Sequence, residues 1–282
     1  MLSAKRCGST AIFKMFQKHP DVGVCHINQD IFRWEPNFWN LGAEAINGLP
    51  KKFISRFKES HPFLKLPKKF TEESLFKLWD DILCQLGPVV FDKSPQYLGN
   101  QYAMELLKKY IDKGNNVKIF AFMRDPRDAI TSQYELWRSY VTRDSPKRRE
   151  LEWLKKYSHL EFLQRNLKNI HLFRYEDFCS RLDYYAPKLL GYCGLDNLPY
   201  SYKHIHPISV GRYSTSINPS IRAWRFSKDF MEHLKHYGYK TPQLASGEKV
   251  RLTIKMLRGN IRREISSLKV RKNNVRGNDL AY

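Results

Sequence analysis

The sequence predicts an α/β fold of three layers, in which a mainly parallel sheet is flanked by helices. Short apolar segments typical of buried strands alternate along the chain with longer segments of helical periodicity. The strand-like segment Val117 to Met123 is apolar nearly throughout, as expected where both faces of a parallel sheet are covered. With 282 residues, of which 42% are hydrophobic, the chain is long enough to bury a full core.

The elements follow one another in a strand–helix order. The predicted strands are Val22 to Cys25, Val89 to Asp92, Val117 to Met123 and Ile170 to Tyr175. The predicted helices are Ala11 to Phe16, Thr71 to Leu86, Gln96 to Lys113, Pro126 to Trp137, Leu151 to Leu167, Tyr184 to Cys193, Ser227 to Tyr237 and Gly247 to Leu268. Arg143 to Glu150 reads as a solvated loop. We interpret residues 1–282 as a single domain.

Two segments are additions to this alternating pattern. An insertion at 38–70, irregular over Phe38 to Phe63 apart from one short helix, is aromatic and basic and could cover an acceptor site. A strongly basic helical segment follows at 244–282.

Charge and cysteine content restrict the class of protein. A formal net charge of +21 requires an anionic partner: a nucleic acid, a lipid surface, a polymer or a cofactor. The five cysteines are odd in number and form no C-x-x-C pair, which indicates reduced thiols and no zinc site. Without a signal peptide or an apolar run of the ~20 residues that span a bilayer, we expect no transmembrane segment and a cytoplasmic or otherwise soluble protein. A segment upstream of Met1 would alter that expectation.

The central motif is Met123-Arg-Asp-Pro-Arg-Asp-Ala-Ile-Thr-Ser132. Arg124 follows a buried strand, and Ser132 lies on the helix that Pro126 begins. Ligands bind at this edge of an open α/β sheet, so a guanidinium and a hydroxyl facing one crevice would form a phosphate clamp. The alternative is a surface arginine and a helical serine that only pack.

Two further motifs contain basic residues. Lys5-Arg-Cys-Gly-Ser-Thr10 precedes a helix, where backbone N–H groups and the helix dipole favour an anion. It is not a Walker A loop, and the alternative is ordinary N-capping by Ser9 or Thr10. Asp92-Lys-Ser-Pro95 lies at the carboxyl end of the predicted strand that begins at Val89, just as Arg124 lies at the carboxyl end of its strand.

Together these motifs resemble those of the sulfotransferases that use 3′-phosphoadenosine 5′-phosphosulfate (PAPS). Asp92-Lys-Ser-Pro95 is similar to a segment of the heparan sulfate branch, Arg174-Tyr-Glu-Asp-Phe178 resembles another recurrent segment, and the likeness covers residues 5 to 195. The resemblance implies a P-loop-like fold. It also implies that PAPS is bound by Lys5, Arg6, Cys7, Gly8, Ser9 and Thr10 around the 5′-phosphosulfate, by Arg124 and Ser132 around the 3′-phosphate, and by Arg212 closing over the nucleotide. Arg6 and Lys93 would act on the transferring sulfonate.

The general base departs from the family pattern. The heparan sulfate 3-O branch has a Glu two residues before a His; anchored on His19-Pro-Asp-Val22, these positions fall on Asn28 and Asp30. Because Asn cannot accept the proton, Asp30 is the first candidate base, followed by Glu35, His26 and Asp92. We expect no metal, because His204 and His206 have no clear third ligand.

The sequence therefore predicts an enzyme that moves a sulfuryl group from PAPS to an acceptor hydroxyl by in-line displacement. The acceptor would be a carbohydrate, in particular an anionic glycan. The alternatives are a nucleotide-dependent phosphotransferase, a basic polyanion- or nucleic-acid-binding module without catalysis, and a catalytically inactive family member. No recognised nucleic-acid motif is present, so no specific nucleic-acid partner is expected.

Overall fold

A mainly parallel sheet forms the centre of the molecule. The computed structural model describes residues 1–25, 35–136, 146–207, 210–212 and 226–239. Its strands are β1 (Leu2–Ser3), β2 (Val22–Val24), β3 (Val89–Phe91), β4 (Phe120–Met123) and β5 (His171–Arg174). They are hydrogen-bonded in the orders β1-β4-β5 and β2-β3, and each of these pairings is parallel. The predicted α/β class is confirmed.

Helices connect the strands. They are α1 (Ser9–Gln17), α2 (Phe38–Ile46), α3 (Lys51–Ser60), α4 (Glu72–Leu86), α5 (Gln101–Asp112), α6 (Pro126–Leu136), α7 (Pro146–Asn166), α8 (Tyr175–Ser180), α9 (Leu182–Tyr192) and α10 (Lys228–His236). Thr71 and Ser74 form a reciprocal capping box at the start of α4, which satisfies backbone N–H groups that the helix leaves unpaired. No helix among the described residues has the length and hydropathy needed to cross a bilayer.

The register of the central strands gathers their carboxyl ends. β4 is buried along its whole length and pairs Ala121 with Leu2 on one side and Met123 with Arg174 on the other. Arg124 therefore emerges beside the loop that follows β1 and beside the first residues of α8. This edge of the sheet positions the candidate site.

The prediction of an irregular segment over Phe38 to Phe63 is wrong. The residues form α2 and α3. Phe38 is completely buried, and its ring centroid lies 4.5 Å from that of Trp79 and 5.4 Å from that of Phe53. Burying a large apolar side chain stabilises a fold by roughly 1.5–3 kcal/mol. This aromatic cluster therefore makes the segment part of the core.

Several predicted boundaries also change. The solvated loop at 143–150 is wrong from Pro146 onwards, because a proline suits a first helical turn and α7 begins there. The helix at 96–113 is divided at Asn100, whose side chain caps α5 by accepting from the Ala103 N–H. The strand predicted at 117–123 begins only at Phe120. The basic helix at 247–268 lies outside the described residues.

Candidate functional site

The loop between β1 and α1 has a backbone suited to an anion. Arg6 and Gly8 both have left-handed backbones, with φ of 68° and 80°. At Gly8 a Cβ atom would lie 2.1 Å from the Tyr175 ring, so only glycine fits. Gly8 is also the N-cap of α1, and no described side chain caps the helix, contrary to the alternative of capping by Ser9 or Thr10. The first N–H groups of α1 are thus open to an anionic ligand.

Three residues predicted to bind phosphate groups meet at Arg6. The Arg6 Nε donates a hydrogen bond of 3.0 Å to Ser132 Oγ. The Arg124 Nη1 donates one of 2.9 Å to the backbone oxygen of Arg6. Arg124 and Ser132 are only 3% and 2% exposed, so the alternative of a surface arginine is wrong. The loop after β1, the end of β4 and α6 converge on one point.

The electrostatics of this point favour a ligand with several negative charges. Burial lowers the pKa of the Arg6 guanidinium, and the positive charges of Arg124 and Arg212 lower it further. Asp128 lies nearby, with its Oδ2 3.7 Å from Arg124 Nη2. The same oxygen accepts a 2.7 Å hydrogen bond from the Gly211 N–H, which ties the segment containing Arg212 to α6. The structure thus brings Arg212 into the electrostatic range of Arg6.

Lys93 lies at the carboxyl end of β3, as predicted, and is almost fully buried. Its Nζ forms an ion pair of 3.0 Å with Glu35 Oε1 and lies 5.9 Å from the centroid of the Phe13 ring on α1. The backbone beside Glu35 is fixed to the same strand end, because the Asn37 N–H donates to Ser94 Oγ at 2.9 Å. A buried ammonium needs such a partner.

The remaining predicted residues have different environments. Cys7 is buried, and burial raises the pKa of its thiol to about 11, so it stays protonated and acts as a packing residue. Burial also raises the pKa of Asp92 to about 6, while Tyr97 donates a hydrogen bond to its carboxylate. Lys5 is exposed and lines a small cavity between α6 and α7. Asp30, with Asn28 and His26, lies outside the described residues.

Neither a metal-binding cluster nor a larger cavity among the described residues favours a different site. Within the described ranges, no group of three His, Cys, Asp or Glu side chains is arranged to hold a metal ion. The His204 ring nitrogen Nε2 instead contacts the backbone oxygen of Ala11 at 3.0 Å. A cavity of about 280 Å³ lies near the amino ends of β3 and β4, and its walls include neither Arg6 nor Arg124.

Sequence reasoning missed the residues that support the binding groups. Tyr175 packs against Gly8, and its ring centroid lies 5.4 Å from the Arg124 guanidinium carbon. Glu176 accepts a 2.7 Å hydrogen bond from the Asp125 N–H and so fixes the turn between β4 and α6. The recurrent segment Arg174-Tyr-Glu-Asp-Phe178 was a signal for both, although it did not specify their partners.

Comparison with known proteins decides the family. A family model described as the sulfotransferase family matches residues 1–199. The chain belongs to the sulfotransferase family. No curated protein shows significant sequence similarity to this sulfotransferase-family chain.

Solved structures share its fold. The sulfotransferase domain of the curacin biosynthetic pathway is similar with a TM-score of 0.55 and 15% identity, over 86% of this chain and 97% of that one. The sulfotransferase domain of the olefin synthase of Synechococcus PCC 7002 has a TM-score of 0.51 and 16% identity, over 86% and 94% of the two chains. These likenesses show the sulfotransferase fold.

Proposed function

We propose that the protein transfers the sulfuryl group of PAPS to an acceptor hydroxyl, in particular on a carbohydrate. The observation that carries this proposal is the convergence of Arg6 with Arg124 and Ser132, which lie more than 100 positions further along the chain and are joined to Arg6 by hydrogen bonds of 2.9 and 3.0 Å. Two guanidinium groups and a hydroxyl beside an uncapped helix start suit a nucleotide with phosphate groups at two positions. Membership of the sulfotransferase family supports the same reaction.

Each part of the donor has a corresponding group of residues. Arg124 and Ser132 bind the 3′-phosphate by a guanidinium fork and a hydroxyl donor. The backbone N–H groups of Gly8, Ser9 and Thr10, with the side chain of Arg6, bind the 5′-phosphosulfate. Arg212 closes over the nucleotide from the segment that Asp128 ties to α6. Lys5 and Cys7 complete the loop, Lys5 through its charge and Cys7 through its packing.

The chemistry is an in-line displacement at sulfur. The acceptor oxygen forms a bond to sulfur while the bond between sulfur and the bridging phosphate oxygen breaks, and the product nucleotide is 3′,5′-ADP. Negative charge develops on that bridging oxygen as it leaves. Arg6 and Lys93 stabilise this charge, and a fixed cation does so without reorganisation during the reaction.

The acceptor proton requires a base. Asp30 remains our candidate, because the position where the resemblance leads one to expect a Glu is Asn28, and Asp30 is a carboxylate only two residues further along. Glu35, which also lies in this segment, instead holds the Lys93 ammonium at 3.0 Å and so orients it toward the donor. The proton passes from the acceptor hydroxyl to the Asp30 carboxylate as the new S–O bond forms.

The carbohydrate acceptor rests on two observations. Asp92-Lys-Ser-Pro95 resembles the heparan sulfate branch, and the net charge of +21 suits an anionic glycan. An acceptor of this kind would be steered toward the site by the field of the whole protein.

A thermal-shift measurement tests the donor. A ligand that binds only the folded state raises the melting temperature by mass action. We expect 3′,5′-ADP to stabilise the protein more than 5′-AMP or ATP at equal concentration. Arg124→Ala should abolish this preference, whereas Arg148→Ala, at an exposed position on α7, should keep it.

A second variant guards against a folding defect, since Arg124 also holds the backbone of Arg6. Ser132→Ala removes a single hydroxyl and should reduce the preference for 3′,5′-ADP. If no nucleotide stabilises the wild-type protein, the proposed donor is wrong and a polyanion-binding module becomes the better account.

A further inference from the structure

A cluster of polar side chains lies between α6 and α7, directly beside the donor loop. It surrounds a cavity of about 20 Å³ whose walls are Ala4, Lys5, Ala129, Ile130, Gln133, Arg149, Glu152, Trp153 and Lys156. A single water needs roughly 10–15 Å³ of such volume, so the cavity admits one or two oxygen atoms. Of the residues assigned to the donor, Lys5 lines this cavity, whereas Arg6, Arg124 and Ser132 do not.

Lys156 contributes a positive charge that the nearby Glu152 carboxylate offsets only in part, without contacting it as an ion pair. Its side chain is largely buried, and burial lowers the pKa of the ammonium, with the charge of Lys5 lowering it further. In the described part of the chain, Lys156 makes no hydrogen bond or ion pair. The neighbouring carboxylate of Glu152 is engaged elsewhere, at 3.1 Å from Arg149 and 3.4 Å from Arg148. A buried charge without a partner is costly unless a ligand supplies one.

Two neutral polar groups in the same walls also have no partner among the described residues. Trp153 is only 4% exposed, and its indole Nε1 donates no hydrogen bond. The side-chain oxygen of Gln133 is buried and accepts none. Buried polar groups in folded proteins are nearly always satisfied, so unpaired groups around one cavity point to a ligand with matching groups.

We propose that Lys5, Lys156 and the Trp153 Nε1 form a subsite for an oxyanion carried by the acceptor, which is therefore itself an anionic molecule. The two ammonium groups and the indole N–H match the two oxygens of a carboxylate or two of the three terminal oxygens of a sulfate ester, and the Gln133 oxygen accepts from a neighbouring hydroxyl. The inference rests on the proposed function, because it deepens the assignment of the acceptor.

The position of Lys5 connects this subsite to the transfer centre. Lys5 directly precedes Arg6, and consecutive Cα atoms are about 3.8 Å apart. Arg6 faces Ser132, whereas Lys5 faces the cavity between α6 and α7. A molecule bound at Lys156 would therefore lie beside the donor loop, on the side away from Arg6 and Ser132. This position suits the acceptor, because the nucleotide is assigned to the side of Arg6 and Ser132.

The test compares three disaccharides that differ in one substituent, which is anionic in two of them and neutral in the other. One carries a uronic acid, the second is its neutral carboxyl-reduced counterpart, and the third is that neutral disaccharide with one sulfate ester. Their affinities are measured by calorimetry with the donor site saturated by 3′,5′-ADP. At least one anionic disaccharide should bind about tenfold or more tightly than the neutral one, the scale of a charge-assisted hydrogen bond. Which anionic probe gains distinguishes a carboxylate subsite from a sulfate subsite.

Two matched variants test whether Lys156 is responsible for the preference for an anionic disaccharide. Lys156→Met should remove the preference for the anionic disaccharide, whereas Lys155→Met, at the exposed neighbouring position on α7, should retain it. Binding of 3′,5′-ADP should be the same in both variants, which checks their folding. Equal binding of all three disaccharides, or equal losses in the two variants, would overturn the subsite. Failure of the wild type to bind 3′,5′-ADP would instead contradict the proposed donor.

Discussion

Two regions at the carboxyl edge of the sheet are organised in different ways. On the proposed donor side, Arg6 is hydrogen-bonded to Arg124, which follows β4, and to Ser132, which lies in α6. These partners are 118 and 126 positions further along the chain. The proposed acceptor side, around Lys93, depends on an ion pair with Glu35, which lies three residues before α2. Under the proposed function, the donor phosphates are thus bound by groups that the ends of the central strands hold in place, whereas, among the described residues, the placement of Lys93 depends on a single ion pair.

The acceptor side provides the prediction with the largest effect. Asp30→Asn should lower the transfer rate by about 10²–10⁴-fold, the usual contribution of a general base, because the amide cannot take the acceptor proton. Binding of 3′,5′-ADP should not change, since Asp30 is not among the residues proposed to bind the donor. Steady-state rates with PAPS over a range of pH check this prediction. If Glu35→Gln has the larger effect and alters the pH profile, the base is Glu35.

The donor side should show the next largest effect on activity. Arg6→Ala removes a charge that stabilises the leaving phosphate and should lower the rate by about 10²–10³-fold. Arg6→Lys should recover part of the rate, because it restores the charge without the planar fork. The measurement is kcat with saturating PAPS. A loss confined to KM would mean that Arg6 only binds the donor.

Gly8→Ala tests the packing beneath the donor loop. The new methyl group would overlap the Tyr175 ring, and alanine is strained at a φ of 80°. We expect a loss of about 2 to 5 kcal/mol in the free energy of unfolding. Chemical denaturation gives the value, and Tyr175→Leu in the same chain should recover part of it. A stable Gly8→Ala protein would contradict the close approach of the ring.

Asp92 on the acceptor side makes stability depend on pH. Its pKa rises from 3.8 when unfolded to about 6 when folded, so the folded state binds the proton more tightly. The stability that this proton contributes is fully present below about pH 4 and is lost as the pH rises through 6. A shift of this size corresponds to about 3 kcal/mol.

Asp92→Asn isolates that contribution. The stability of the variant relative to wild type should increase by a similar amount between pH 4 and pH 7, as measured by denaturation with urea. A difference that stays constant over this range would mean that the Asp92 carboxylate is ionised throughout.

Ser132→Ala should give the smallest of these effects. The hydroxyl contributes one hydrogen bond to the 3′-phosphate, so its loss should weaken binding of 3′,5′-ADP by about tenfold. Binding of 5′-AMP, which has no 3′-phosphate, should stay the same. Calorimetry with both nucleotides makes the comparison, and an equal loss for the two would place Ser132 at the 5′ position.

The same contrast explains what the sequence could predict. Arg124 and Lys93 directly follow buried strands, and because parallel strands end at one edge, their placement followed from the hydrophobic pattern. The sequence predicted one short helix where α2 and α3 lie, because α2 is buried on nearly all sides and so has no polar face to give helical periodicity. Gly42 reads as a helix breaker, yet it lies within α2, where a Cβ would overlap Leu75.

The sequence also could not predict contacts between residues that are distant along the chain. The hydrogen bond from the Gly211 N–H to Asp128 spans 83 positions and depends on the path of the whole chain. The ion pair of Lys93 with Glu35 similarly joins residues 58 positions apart. Motifs specify which groups are present, whereas tertiary packing decides their partners.

The most direct test of the donor assignment is a ³¹P NMR titration of 3′,5′-ADP with the protein, because the two phosphorus atoms report separately on the two halves of the site. Both resonances should shift with the wild type, the 3′ shift should be reduced selectively in Ser132→Ala, and the 5′ shift should be reduced selectively in Arg6→Ala. Unshifted resonances with the wild type, or equal changes of both resonances in each variant, would contradict a donor held at two positions by Arg6 and Ser132.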